Sequence, residues 1–252
     1  MVAWSALVER LQLVPDERAR RTLIRRLSRP VRGPEPVRVL AFANAHAFNL
    51  ARRCQSFAQA LWEADVLLRD GTGLAWLLRR CARPPGLNMN GTDFIPELLR
   101  ACDGLTVAVL GTREPHLAVG LRRLQQEIMP RSRIWGVDGF APAPAYVQLL
   151  RERKPAIVLL AMGMPQQEEL AQRLRRELEH RCLLICGGAI VDFWAGRTRR
   201  APAVLQRLGL EWLWRLGQEP VRLFRRYVIG NPLFIWRVLT LRRAPSRPAH
   251  DL

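Results

Sequence analysis

Residues 156–168 read Ala156-Ile157-Val158-Leu159-Leu160-Ala161-Met162-Gly163-Met164-Pro165-Gln166-Gln167-Glu168. The apolar run Ala156–Ala161 has no polar alternation, which predicts a strand covered on both faces. A glycine turn follows. Pro165 then opens a helix at a position where its missing N–H costs nothing, and the helical pattern runs to about residue 180. The same unit recurs along the chain. Strands are predicted over Val37–Phe42, Val66–Leu68, Thr106–Leu110, Ile134–Val137 and Leu183–Cys186, with helical stretches near 46–62, 73–81, 92–102, 115–129 and 143–153. Strands of this kind separated by helices predict an α/β fold: a Rossmann-like, largely parallel sheet with helices on both faces.

Three parts follow from that pattern. Residues 1–36 are an amphipathic helical lead-in that ends in Arg29-Pro30-Val31-Arg32-Gly33-Pro34-Glu35-Pro36. Residues 37–200 hold the α/β domain. Residues 201–252 are a basic, Trp/Arg-rich C-terminal appendage with helical patterning.

The chain has 252 residues and a net charge of +18, carried almost wholly by arginine, since Lys154 is the only lysine. From Arg197 to the end, twelve arginines face only Glu211, Glu219 and Asp251. A basic field so concentrated attracts nucleic acid, acidic lipid or a phosphorylated substrate. Trp194, Trp212, Trp214 and Trp236 are interleaved with these arginines. Such a mixture suits a membrane interface, and it equally suits a helical core.

Five cysteines, an odd number with no Cys-x-x-Cys, predict reduced structural thiols in a cytosolic protein and no zinc site. Glu9 and Arg10 interrupt the first apolar stretch, which excludes a signal peptide. Tyr227–Leu241 is apolar but broken by Pro232 and Arg237, and too short to span a bilayer. A soluble or peripheral protein is expected.

Chemistry collects at the predicted strand ends. Asn44 follows the first strand, Asp70-Gly71 the second, Gly111-Thr112 the third, Gly163 the fifth and Gly187-Gly188 the sixth. In open parallel sheets, ligands sit outside the carboxyl ends of the strands. Glycines there let backbone N–H groups approach a phosphate, and helix N-termini favour anions. Turns also need glycine, but so many together predict a nucleotide-type crevice.

Single motifs leave alternatives open. Asp70-Gly71 is either a tight turn or a turn that sets a general base at the crevice mouth. Asp93 in Gly91-Thr92-Asp93 caps a helix or touches a ligand. Gln167 can hold a sugar or phosphate, while Glu168 complements the helix dipole. His46 reaches the crevice or sits on the helix surface. The chain has no GxxxxGK[ST], no GxGxxG after the first strand and no Asp-x-Asp. Phosphate charge would therefore be met by arginine.

Read together, Asp70-Gly71-x-Gly73, Gly91-Thr92-Asp93, Gly163-x-Pro165-x-Gln167-Glu168, Asp192-Phe193-x-Ala195-Gly196, Arg200-Ala201-Pro202, Glu211-Trp212-Leu213-x-Arg215-Leu216 and Glu219-Pro220-x-Arg222-Leu223 resemble the WecG/TagA/CpsF family of bacterial glycosyltransferases. The match covers about Val37 to Phe234. The resemblance implies inverting, metal-independent transfer of a sugar from a UDP-sugar to a polyprenyl-diphosphate-linked sugar, with no cofactor. The enzyme would work peripherally at the inner face of the cytoplasmic membrane, in polysaccharide or teichoic-acid assembly. By the same resemblance Asp70 is the general base and Gln167 a substrate contact. Asn44 and Asp192 are crevice residues, and the C-terminal arginines close over the site. With the strand-end reading, Gly71, Asp93, Gly111, Gly163 and Gly188 complete the substrate-binding set.

Arg215, Arg222 and Arg225 are spaced to share one helical face, and the resemblance turns that face towards the donor diphosphate, with Arg222 acting in catalysis. Trp212, Trp214, Phe224, Tyr227, Phe234 and Trp236 are expected to meet an anionic membrane surface. Phe42, Asn88 and Gln166 depart from the family pattern. The run Leu87–Asp93 is similar to the xanthan-type glucosyltransferase branch, which makes glucose a candidate donor sugar beside N-acetylmannosamine or its uronic acid. A homo-oligomer is compatible with all of this. The contrasting reading is a basic nucleic-acid-binding α/β protein without activity. The concentration of charge in the tail and the lack of an aromatic RNA-binding strand or helix-turn-helix pattern argue against nucleic acid as a partner.

Overall fold

Along β2 (Val37–Ala43) successive side chains enter different cores. Val37, Val39, Ala41 and Ala43 join one buried cluster, while Leu40 and Phe42 join another. A strand that is apolar on both faces requires cover on both, as the lack of alternation predicted. The computed structural model describes residues 4–241. Its sheet has seven strands: β1 (Leu11–Gln12), β2, β3 (Val66–Arg69), β4 (Thr106–Gly111), β5 (Arg133–Val137), β6 (Ile157–Ala161) and β7 (Cys182–Cys186). Their order is β1-β3-β2-β7-β6-β4-β5, and every pairing is parallel. The architecture is Rossmann-like α/β. All strand carboxyl ends therefore open on one edge.

One face is covered by α1 (Trp4–Arg10), α3 (Ala45–Ala51), α4 (Gln55–Glu63), α5 (Thr72–Arg80), α8 (Ala143–Arg153), α9 (Gln166–Glu177) and α14 (Gly230–Thr240). The other is covered by α2 (Glu17–Leu27), α6 (Gly91–Arg100), α7 (His116–Arg123) and α10 (Ile190–Trp194). Helices α11 (Ala203–Arg207), α12 (Glu211–Gln218) and α13 (Pro220–Phe224) lead from α10 to α14, and a π-helical turn at Arg225–Ile229 precedes α14.

Two departures from the sequence reading have physical reasons. The helical stretch near 46–62 is two helices, α3 and α4, separated at Arg52–Cys54. Phe48 and Phe57 are nine residues apart, which in one α-helix sets them on opposite sides. The break lets both become fully buried. The lead-in also contributes a strand: Leu11 and Gln12 pair with Leu67 and Leu68 at the sheet edge. Two residues are too few to carry a period.

The C-terminal segment is partly core. Phe234 is 1% exposed and packs on Trp4 with ring centroids 5.4 Å apart, and Val238 is buried beside it. Tyr227 is buried as well. Phe234 and Tyr227, expected at a membrane surface, are thus packing groups. Phe224 and Trp236 are exposed, together with Leu213, Val221, Ile229 and Leu239, while Trp212 and Trp214 are half-buried. Among the described residues no helix is long and apolar enough to cross a membrane. The five cysteines are unbridged; burial pushes the Cys182 thiol up to about 12 and Cys102 to about 11, so both stay neutral.

Candidate functional site

The carboxyl ends of β2 and β3 lie side by side, with Ala43 opposite Arg69. The next residues, Asn44 and Asp70, therefore face each other. Asn44 caps α3, its Oδ1 accepting the Ala47 N–H at 3.1 Å, which leaves its Nδ2 to donate to Asp70 Oδ2 at 3.3 Å. Burial pushes the Asp70 carboxyl above the usual range, against the Asn44 hydrogen bond and the charges of Arg226, Arg215 and Arg69. Asp70 as a whole is half-buried at this edge. A carboxylate that is hydrogen-bonded and desolvated binds a proton more tightly, which suits a general base.

The loop behind Asp70 is held rigidly. Arg69, 4% exposed, donates to the carbonyls of Gly71 (2.7 Å), Pro85 (3.0 Å) and Gly86 (3.1 Å). Asn88 accepts the Gly71 N–H at 2.7 Å. Gly71 thus has its N–H engaged within the protein, and Asn88, a departure from the family pattern, takes a structural place in the turn.

Across the sheet, α9 supplies a bracket. Gln167 is 1% exposed. Its Oε1 accepts the Gly188 N–H at 2.8 Å and the Gly163 N–H at 3.3 Å, and its Nε2 donates to Glu168 Oε1 at 2.7 Å. Gln167 was expected to touch substrate, but every polar atom of its side chain is engaged internally; it joins the β6 and β7 loops. Gly188 has φ +59° with open space where a Cβ would point, so this turn favours glycine. Glu168 is 2% exposed, and its Oε2 has no partner. Burial among Val39, Ala41, Ala60 and Cys186 pushes its carboxyl up to about 8.

A third cluster joins β4 to α10. Thr112 donates to Asp192 Oδ1 at 2.6 Å, and Arg197 approaches the same oxygen at 3.4 Å. Gly111 is buried, and a Cβ there would collide with the Ala161 carbonyl of β6. The missing side chain is what permits this close strand approach.

Asp93 also has an internal partner. Arg200 grips it with both terminal nitrogens, and Asn90, the cap of α6, donates to its Oδ2 at 2.9 Å. Burial raises the Asp93 carboxyl, but the Arg200 and Asn90 hydrogen bonds outweigh this and hold it low.

The arginines of the C-terminal segment divide. Arg215 is half-buried, its guanidinium 5.5 Å from the Phe193 ring centroid, and its field reaches Asp70. Arg222 is half-exposed and paired with Glu219. Arg225 is exposed. Arg226, which helix spacing did not single out, is half-buried beside Asp70. His46, half-buried, is pushed down to about 4 by burial and by Arg226, so it is neutral at physiological pH. Among the described residues no three His, Cys, Asp or Glu side chains gather as a metal site.

The glycosyl transferase WecG/TagA/CpsF family model matches residues 11–248. The chain belongs to that family. It is thus a glycosyltransferase, and the reading as a nucleic-acid-binding protein without activity falls away. Among curated proteins it is similar to the N-acetylglucosaminyldiphosphoundecaprenol N-acetyl-beta-D-mannosaminyltransferases of Staphylococcus aureus strains MW2, NCTC 8325 and COL, each 25% identical over 211 residues, covering 80% of this chain and 79% of the relative.

Proposed function

We propose that this enzyme moves a sugar from a UDP-sugar to a polyprenyl-diphosphate-linked sugar, with inversion and without a divalent cation. The observation that carries the reading is Asp70: a carboxyl at the strand-end edge with a raised proton affinity, held by Asn44 and within the field of several arginines. Asp70 accepts the proton of the acceptor hydroxyl as its oxygen bonds to the anomeric carbon. The bond from that carbon to the diphosphate breaks, and its electron pair leaves on UDP. Arg215 and Arg222 lie on the segment that adds positive charge there, which stabilises the leaving group in the manner a metal would. The names of the relatives support a lipid-linked N-acetylglucosaminyl diphosphate as acceptor and N-acetylmannosamine as one donor sugar. The motif run over Leu87–Asp93 keeps glucose as the other.

The exposed Leu213, Val221, Phe224, Ile229, Trp236 and Leu239, with Arg222 and Arg225 among them, support peripheral docking on an anionic membrane at its cytoplasmic face. The test is a donor screen on a lipid-linked acceptor in detergent, repeated with EDTA. Activity should survive the chelator. Asp70→Asn should slow transfer by about 10²–10⁴-fold while UDP binding stays near wild type. Wild-type turnover by Asp70→Asn would remove Asp70 from the mechanism, and loss in EDTA restored by Mn²⁺ would remove the metal-free step.

A further inference from the structure

Glu168 takes no step in the transfer, yet it is sealed into the wall of the crevice. Gln167 decides how it is held. Because the Gln167 Oε1 accepts from Gly163 and Gly188, its Nε2 is left to donate to Glu168 Oε1. The carboxyl lines a cavity of about 10 Å³ walled by Val39, Ala41, Ala60 and Cys186, and its Oε2 has no hydrogen-bond partner among the described residues. Gln172, Arg175 and Glu63 line the same cavity and are committed to the seam between α4 and α9. Gln172 donates to Glu63 Oε2 at 2.6 Å, and Arg175 donates to the Glu63 carbonyl at 2.7 Å and pairs with Asp65 at 3.1 Å.

As a neutral acid Glu168 supplies the acceptor that Gln167 needs and leaves the seam alone. As an anion it would set a charge in a cavity whose donors, the Gln172 amide and the Arg175 guanidinium, are engaged elsewhere. A buried charge without partners is costly, so those donors would be pulled from α4. The charged groups around it are few. Apart from Glu63 and Arg175, Glu169 on its own helix opposes ionisation and Arg226 favours it. Strand β7 brings the Cys186 thiol, which burial holds neutral, while β2 and β6 present apolar residues there. Helix α8 meets α9 at its far end, where Arg151 donates to the Glu177 carbonyl. Burial outweighs the rest and sets the Glu168 pKa at about 8, so the acid is neutral at pH 7 even in the first turn of a helix.

We infer that Glu168 is a positioning residue for the transfer: with its proton it fixes Gln167 and thereby the Gly163 and Gly188 loops, and without it the α4–α9 seam and both loops loosen. The inference rests on the proposed transfer only for its activity readout. The full chain is assayed with a lipid-linked acceptor in detergent, beside calorimetry with UDP and amide exchange corrected for its intrinsic pH dependence. The wild-type rate should fall about tenfold from about pH 7 to about pH 9, where about one Glu168 in ten is still neutral. UDP affinity, and protection at residues 163–167, 187–190 and along the seam, should fall over the same range. Glu168→Gln is neutral at every pH and should show no such fall in rate or protection.

If Glu168→Gln folds poorly, infrared spectroscopy of Asp70→Asn decides, since that variant retains Glu168 and lacks the other raised carboxyl. Its carboxylic acid band at about pH 7 should vanish by about pH 9 in step with loop protection. A wild-type rate that stays flat to about pH 9, a fall that Glu168→Gln shares, or loops that stay protected while the band vanishes would each overturn the assignment. If no donor sugar turns over at any pH, loop protection decides this inference, and the missing turnover counts against the transfer reading alone.

Discussion

Helices α12 and α14 belong to the same C-terminal segment and are held in opposite ways. Helix α14 inserts Phe234 and Val238 into the core next to Trp4. It is also tied to α3: Asn49 donates to the Gly230 carbonyl at 2.7 Å and accepts from Arg237 at 2.7 Å. Helix α12 buries no residue. Apart from a Trp212–Tyr227 ring contact at 6.0 Å and the Arg215 guanidinium over Phe193, its attachments are polar: the Trp214 indole N–H to the Arg199 carbonyl at 3.2 Å, Gln218 to the same residue's carbonyl at 2.9 Å and N–H at 2.8 Å, and, upstream, Arg200 on Asp93. Water competes for each of these contacts and for none of the Phe234 packing. Local opening is expected where buried apolar contacts are few and hydrogen bonds are exposed. The half that carries Arg215 is therefore the half expected to open locally, while α14 stays held in the core.

The largest expected effect tests the fixed half. Phe234→Ala should destabilise the whole protein by about 3–5 kcal/mol, as truncating a buried phenylalanine does. Chemical denaturation would measure this at unchanged slope. A loss under 1 kcal/mol would mean that α14 is as loosely attached as α12.

The fixed wall across the crevice carries a pH signature. Glu168 has a folded pKa of about 8, above its ordinary value near 4.5, so the folded protein prefers the protonated acid. Such a group favours folding most at low pH, and its contribution falls as pH rises from about 4.5 to about 8, above which both states are ionised. Glu168→Gln keeps the acceptor for Gln167 and removes the titration. Its unfolding free energy should equal wild type near pH 4.5, then exceed it progressively, the gain reaching a few kcal/mol in order of magnitude and levelling off above pH 8. A pH-independent difference would show that Glu168 is ionised throughout. Gln167→Ala should cost about 1–3 kcal/mol by orphaning the Gly163 and Gly188 amides. It should also slow transfer through misplaced loops, with UDP affinity falling along with the rate.

The parallel sheet, its two covered faces and the edge where the site lies were legible because unalternated apolar strands leave few other folds. Asp70, Asn44 and the glycine ends were placed correctly at that edge for the same reason. What the residues there do was less legible. Gln167 and Asp93 are polar residues beside glycines, and nothing local says whether their partners are ligand or protein; the partners, Gly188 and Arg200, are 21 and 107 residues away. Arg225 and Arg226 are adjacent, and a hydrogen-bond register that no composition encodes decides between them. Phe234 and Trp236 look alike in sequence, and only the packing of α14 on Trp4 separates core from surface.

The smallest effect concerns the mobile half. Arg200 and Asp93 are each partly exposed, at 33% and 45% of their side chains, so the pair should contribute about 0–1 kcal/mol to global stability. Its importance is local, because it fastens the stretch leading to α12 onto α6. Asp93→Asn and Arg200→Gln should each leave the melting temperature within about 1–2 °C of wild type. Amide exchange in residues 203–218 should nevertheless quicken several-fold, while α14 stays protected. A loosened α12 would weaken donor binding more than it slows the bound complex, so KM should rise with kcat nearly unchanged. The charge-reversed pair Asp93→Arg with Arg200→Asp restores attraction with the ends exchanged. If it recovers slow exchange and low KM, the contact acts as a fastening. If KM stays high while exchange recovers, Asp93 touches the substrate itself, and the division between a fixed and a movable half loses its main contact.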